Sequence, residues 1–231
     1  MTTTTETAKY KHTTLSSREI IGMALDALPG NKMSILMVMS IPSGAAFLWG
    51  VLAGLAGLSQ GVAGIVSVVI SLMLLSVSSA VGVLGVEAAR GNETRAGMAF
   101  SYFSKTPKMI GFTALYSLAI ILGLLMFIIP GLLISTAWTA SSALALREDY
   151  SIVESIKVSI SGLWENAGIF IGIPFYLVFL PVLGTVILAG LAVMISPVLA
   201  WIVLLAYSFS LIWLMPLMIV SYGVLYKETF L

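Results

Sequence analysis

Long apolar runs constrain this chain more than any other feature of its sequence. A helix rises ~1.5 Å per residue, so it needs roughly 20 apolar residues to cross ~30 Å of hydrocarbon. Six runs in the 231-residue chain approach or exceed that length. They cover residues 33–57, 62–86, 109–129, 130–146, 167–195 and 198–226. With 59% hydrophobic and only 9% charged residues, the sequence predicts an all-α integral membrane protein whose six transmembrane helices form three hairpins.

The distribution of charged residues predicts the topology. Each of the 11 Lys and Arg residues lies in one of four segments. These segments come before the first run, between the second and third, between the fourth and fifth, and after the sixth. With six crossings these segments lie on one side, which the positive-inside rule assigns to the cytoplasm. We therefore expect a multi-pass protein of the cell (inner or plasma) membrane with both termini in the cytoplasm.

The cytoplasmic segments share a repeated pattern. A shift of 135 positions places Ser16 and Glu19 on Ser151 and Glu154, and each pair is typical of a capping box at a helix start. The same shift places Asn31 on Asn166, and Asn92, which lies 76 positions after Ser16, can cap a helix in the same way. The pattern predicts a disordered polar tail at 1–14 and one membrane domain at 15–231. Within that domain it predicts repeat-like units at about 16–90, 92–149 and 151–231.

Each unit is predicted to begin with a short amphipathic cytoplasmic helix of about twelve residues. The first such helix has Ile20, Ala24 and Leu28 on one face. The third has an apolar face of four residues opposite Glu154 and Lys157, namely Ile152, Ile156, Ile160 and Leu163. Because each helix is tethered close to a membrane span, we expect docking on the membrane surface or on the bundle, with Trp164 at headgroup depth.

Composition excludes several kinds of site. The chain has no cysteine and a single histidine, His12, so thiolate chemistry, histidine metal clusters and Ser-His-Asp catalysis are excluded within it. A net charge of +1 offers no basic field for nucleic acid. We expect no catalytic residue, no cofactor and no metal. The expected partners are the lipid bilayer and a further membrane protein or a second copy of the chain.

Polar and small residues within the spans leave two interpretations open. Ser135, Thr139 and Ser142 form a stripe at i, i+4 and i+7, which either lines a polar path or serves as a helix-packing face. Gly50-x-x-x-Gly54 is typical of close helix approach. Glu87 is expected to pair with Arg90, at i+3. The adjacent acids Glu148 and Asp149 are expected to mark a solvated turn.

The stretch from residue 129 to residue 170 resembles the membrane domain of the glycerophosphodiester phosphodiesterase family and its stand-alone relatives. The matching positions are Pro130, Gly131, Trp138, Ala145, Leu146, Glu148, Glu154, Ser159, Asn166 and Phe170. The resemblance covers about residues 87–231, and Ala167 departs from it where the family often carries an aromatic residue. It implies a six-helix membrane module with a role in membrane homeostasis or assembly. The phosphodiesterase reaction belongs to a separate soluble barrel that this chain does not contain.

The first hypothesis is therefore a non-enzymatic membrane protein that organises lipid or a membrane-protein partner. The alternative is a transporter or permease subunit for an apolar or amphipathic solute, suggested by Ser135–Ser142 and by prolines inside the spans, such as Pro174 and Pro216.

Overall fold

The computed structural model describes residues 11–126 and 137–231, and all regular structure in these ranges is helical. In chain order the helices are α1 (Ser17–Ala27), α2 (Lys32–Leu55), α3 (Gln60–Met73), α4 (Leu75–Ser79), α5 (Val81–Ala89), α6 (Gly97–Phe100), α7 (Thr106–Met126), α8 (Trp138–Leu146), α9 (Ile152–Glu165), α10 (Ala167–Pro174), α11 (Leu180–Ile195) and α12 (Pro197–Phe230). A 3₁₀ turn at Phe103–Lys105 precedes α7, and a π-helical turn at Phe175–Phe179 joins α10 to α11.

Four stretches of the described chain are long and apolar enough to cross a membrane. They are α2, Phe103–Gly123, Ala167–Ile195 and α12. A fifth exists if α3 and the following segment, which bend by 47° at Leu74, form one span. The fourth predicted run begins outside the described residues, and its described part is α8. The chain is thus helical and suited to a membrane, whereas six spans in three hairpins remain a prediction.

The bend at Leu74 has a local cause. No proline or glycine lies there, but the Ser78 hydroxyl donates to the carbonyls of Leu74 and Leu75 at 3.1 and 3.0 Å. Serine that bonds back to the preceding turn bends helices in this way. The bend carries the chain from the exposed α3 into the buried α5.

The core lies at one end of the bundle, where α5, α8 and the second half of α12 meet. A Cβ atom added at Gly223 of α12 would lie 2.0 Å from the Gly85 oxygen of α5. These two helices therefore cross in backbone contact, which only glycine permits. By contrast, no atom lies within 4 Å of a Cβ built at Gly50 or Gly54, so the close approach predicted for that pair does not occur among the described residues.

The two amphipathic helices dock on this core. Helix α1 packs on α12 and α10 and buries Ile20 and Ala24. Helix α9 packs on α8 and α7, but its most buried positions include Ser155 and Ser159 besides Ile156. The predicted isoleucine face is therefore rotated, because the Ser159 hydroxyl shares a buried hydrogen bond with a serine hydroxyl of α8.

The middle unit departs from the predicted pattern. No twelve-residue helix follows Asn92; only the four-residue α6 forms, with Ala96 as its N-cap residue. The Asn92 side chain instead donates to the Glu87 carboxylate. Thr94 explains the difference, since its N–H donates to Asn31 Oδ1 at 2.7 Å and its carbonyl accepts from another side chain of the same neighbouring helix. These long-range bonds hold the segment outside helical structure.

Residues 11–14, predicted as part of a disordered tail, are bound to the bundle. The Lys11 N–H donates to the Thr229 carbonyl at 2.9 Å, and the Thr13 N–H donates to Asn166 Oδ1 at 3.1 Å. The first described residues thus lie across the end of the last helix.

Candidate functional site

The polar stripe of the fourth predicted run serves packing in its described part. Ser135 lies outside the described residues. The Ser142 side chain is buried and donates to the Thr139 carbonyl at 3.0 Å. Both residues lie against Gly82 of α5, where an added Cβ would be 2.7 Å from the Thr139 oxygen and 2.9 Å from Ser142 Oγ. In this half of the stripe the Ser142 hydroxyl, together with the carbonyl and methyl group of Thr139, faces a helix in close contact.

Two predicted caps stand at helix starts. Ser16 and Glu19 form a capping box at α1, since the Ser16 hydroxyl accepts from the Glu19 N–H and the Glu19 carboxylate accepts from the Ser16 N–H. At α9 the Ser151 hydroxyl accepts from the Glu154 N–H at 3.3 Å. These residues satisfy helix ends. Pro130 and Gly131, which are expected from the resemblance to be structural residues, lie outside the described residues.

Asn31 and Asn166, which the 135-residue shift aligns, make the same pair of bonds. Each side-chain amide donates to the carbonyl four residues earlier, at 2.9 Å for Asn31 and 3.1 Å for Asn166. Each Oδ1 then accepts a backbone N–H from a distant segment, from Thr94 in the first case and Thr13 in the second. Both asparagines therefore join a helix end to another part of the chain.

An ion-pair network occupies the same end of the bundle. The Arg147 Nε donates to Glu87 Oε1 at 2.7 Å, and its Nη1 contacts the Glu148 carboxylate. Arg90 lies farther from Glu87, at 3.9 Å. Arg147, 60 positions away in the sequence, is thus a closer partner of Glu87 than the predicted i, i+3 partner Arg90. The side chains of Glu87 and Arg147 are only 15% and 20% exposed.

The acidic turn after α8 receives two lysines from the 3₁₀ turn and α7. Lys105 and Lys108 lie 3.1 and 3.0 Å from Asp149 Oδ1, and each also donates to one of the last carbonyls of α8. Hydrogen bonds from Lys108 and Lys105 hold the pKa of Asp149 below its ordinary range. Asp149 has a positive φ of 58°, a conformation that aspartate tolerates at helix ends. The turn is solvated, as expected, but it also fixes α7 to α8.

An apolar groove with a volume of about 230 Å³ runs between α7 and α9. Its walls are Leu115, Leu118, Ala119 and Leu122 of α7 with Val153 and Ile156 of α9. Lys157 lines the same groove and is its one charged residue. In the described part of the chain no carboxylate oxygen lies within 4.0 Å of the Lys157 amine.

The partners in the ion-pair network and around the acidic turn could not all be predicted from the sequence, for physical reasons. The Arg147–Glu87 pair joins helices 60 positions apart, which no local spacing reveals. Lys105 and Lys108 carried a usable signal, since an i, i+3 pair of lysines before an apolar run presents both amines on one helix face. The groove depends on how α7 and α9 cross.

Within residues 11–126 and 137–231, no three His, Cys, Asp or Glu side chains are placed to hold a metal ion. A comparison of the chain with known protein families, curated proteins and solved structures finds no match.

Proposed function

We propose that this chain is a non-enzymatic membrane module that binds phospholipid, and that it organises lipid around itself or around a membrane-protein partner. The observation that carries the proposal is the groove between α7 and α9. Its apolar walls suit an acyl chain, and Lys157 suits a headgroup phosphate. The resemblance of residues 87–231 to stand-alone membrane-domain proteins supports the same role, in a cell membrane and with both termini in the cytoplasm.

The groove is open to surrounding lipid. Leu118, Leu122 and Val153 are 51%, 52% and 51% exposed, so roughly half of each side chain is available to a ligand. Lipid tails are as apolar as leucine, so an acyl chain gains packing rather than a hydrophobic driving force by entering. Selectivity must therefore come from Lys157.

The charge on Lys157 sets the expected preference. A lysine near a membrane surface contributes about 1 kcal/mol toward an anionic lipid, which corresponds to roughly fivefold tighter binding. Trp164, one of the exposed side chains of α9, supports a position for this helix at headgroup depth.

The test is native mass spectrometry of the protein released from detergent with phosphatidylglycerol or phosphatidylcholine. We expect wild type to retain phosphatidylglycerol about fivefold better. Lys157→Gln should reduce this preference, whereas Arg95→Gln, which removes an exposed cation outside the groove, should preserve it. Equal retention of both lipids by wild type would refute the headgroup assignment.

A second pair of variants tests the acyl chain. Ala119→Phe fills the groove and should reduce retention of both lipids, because the ring occupies the space of the chain. Ala46→Phe adds the same ring to an exposed position of α2, outside the groove, and should have no effect. Full retention in Ala119→Phe would exclude the groove as the lipid site.

Transport of an apolar or amphipathic solute remains the alternative hypothesis. It requires a path along Ser135, Thr139 and Ser142, and the burial of Ser142 against α5 gives it no support in the described half of the stripe. Flux of a fluorescent fatty acid through proteoliposomes, lost in Thr139→Val, would favour it.

A further inference from the structure

A second cavity lies where three separate parts of the chain meet. The backbone bond from Lys11 to Thr229 brings the N-terminal segment to the end of α12. The contact of Gly85 with Gly223 brings the end of α5 to the same place, and the Lys227 amine donates to the Ala89 carbonyl at 3.3 Å. Arg90, the residue after α5, is thereby placed beside Lys227.

The cavity has a volume of about 320 Å³ and is lined by Lys11, Arg90, Lys227, Glu228 and Leu231. Three of these side chains are cationic and one is anionic, so the lining side chains carry two more positive than negative charges, and the α-carboxylate of the terminal residue Leu231 adds one negative charge nearby. Like charges gathered in one pocket repel each other, and the repulsion grows as the pocket excludes water.

The cationic side chains are only partly compensated, with the Lys227 amine bonded to the Ala89 carbonyl at the C-terminal end of α5. Arg90 has only Glu87, at 3.9 Å, and that carboxylate is already bonded to Arg147 and Asn92. In the described ranges no carboxylate oxygen lies within 4.0 Å of the Lys11 or Lys227 amine. The residues line one open cavity, in which Lys11 and Arg90 are exposed.

We infer that this cavity binds a phosphate group, carried either by the headgroup of an anionic phospholipid or by a free phosphate compound. A guanidinium offers paired N–H donors to two phosphate oxygens, and two ammonium groups add charge without demanding a fixed geometry. The inference does not rest on the groove between α7 and α9, because the two cavities share no residue.

The experiment uses the full chain with two probes. Inorganic phosphate is titrated into the protein in neutral detergent by calorimetry, and nanodiscs of phosphatidylcholine with or without phosphatidic acid report the lipid-borne phosphate through thermal stability. The double variant Arg90→Gln/Lys227→Gln should lower the affinity for whichever probe binds by tenfold or more, which is the loss expected for a charge-assisted hydrogen bond. Arg95→Gln, which removes an exposed cation outside both cavities, is the matched control and should leave this site unchanged.

Two further variants keep the inference testable if the double variant does not fold. Lys11→Gln removes an exposed charge and keeps the backbone bond to Thr229, so it should weaken binding. Glu228→Gln removes the one anionic side chain and should strengthen it. Opposite effects of these two variants are not expected from a general loss of structure.

The outcomes separate the sources of phosphate. Stabilisation by phosphatidic acid that free phosphate does not displace, and that the variants change as stated, assigns the site to a lipid headgroup. Binding of free phosphate with the same variant effects, but no response to phosphatidic acid, assigns it to a soluble compound. If neither probe binds, or if the Lys11→Gln, Glu228→Gln and double variants all bind as wild type does, the inference is wrong.

Discussion

The crossing of α5 and α12 makes Gly223→Ala the most informative substitution in this chain. The new methyl carbon would stand 2.0 Å from the Gly85 oxygen, 2.2 Å from the Gly85 carbonyl carbon and 2.7 Å from the Val86 nitrogen. All three atoms belong to the backbone, so no side-chain rotation relieves the overlap. Ordinary contact begins at 3.4 Å, and the two helices must therefore separate by about 1.4 Å.

The magnitude follows from two opposing effects. Overpacking of a well-packed core costs about 1–3 kcal/mol, and a clash with rigid backbone belongs at the upper end. Alanine also favours the helix over glycine by about 1 kcal/mol. We expect Gly223→Ala to lower the free energy of unfolding by about 2 kcal/mol.

Gly54→Ala is the matched control, because no described residue packed against its helix has an atom within 4 Å of the added methyl group. It should raise the free energy of unfolding by up to about 1 kcal/mol, so the two variants should differ by about 3 kcal/mol. Any difference in helix propensity between lipid and water cancels in this comparison to first order. The assay is reversible unfolding by dodecyl sulfate in mixed micelles, followed by far-ultraviolet circular dichroism.

Gly85→Ala tests the same contact from the other helix, since its methyl group would stand 2.5 Å from the Ile219 oxygen. It should be destabilising as well. If Gly223→Ala and Gly85→Ala unfold at the same denaturant concentration as Gly54→Ala, the two helices do not cross in backbone contact and the description of the core is wrong.

Three other predictions concern the ion pair of Glu87 with Arg147, the acidic turn at Asp149 and the topology. A double-mutant cycle with Glu87→Gln and Arg147→Met should give a coupling free energy of about 1.5–3 kcal/mol, and additive effects would show that the 2.7 Å ion pair does not contribute. Asp149 has a folded-state pKa below its ordinary value, so its stabilising effect is present above about pH 4 and is lost as pH falls through the lowered folded value. The stability difference between wild type and Asp149→Asn, which keeps a residue that tolerates positive φ, should therefore be constant from neutral pH to about pH 5 and shrink in more acid solution. Ser59→Cys and Ser104→Cys should react with a membrane-impermeant maleimide from opposite sides in oriented vesicles, and labelling from one side would contradict the predicted topology.

Features encoded in a few consecutive residues were predictable from the sequence. The capping box of α1 depends only on Ser16 and Glu19, and it forms as the pattern indicates. Helical structure and membrane-length spans follow from apolar length alone. Asn92 shows the limit of such reasoning, because the bonds of Thr94 to the first unit override a sequence that could have started a helix.

Features that depend on which helices meet were not predictable. Gly50 and Gly54 have the spacing typical of close packing but meet no neighbouring helix in the part of the chain that the structure describes, whereas Gly85 and Gly223 have no common motif and touch. The same holds for the buried side of α9, where Ser159 finds a hydroxyl partner on α8. Both outcomes are decided by tertiary geometry, and spacing within one helix carries no information about it.

The docking of α1 has a consequence for how the protein is made. Its covering helices, α10 and α12, are translated more than a hundred residues after it, and the bonds of Thr13 and Lys11 reach Asn166 and Thr229. Until α10 and α12 are made, α1 has α5 as a neighbour but lacks the two helices that it contacts most, so protein covers only part of its apolar side. The N-terminal helix reaches its final place only after the final span has been inserted, so the beginning of this chain is among the last parts to fold.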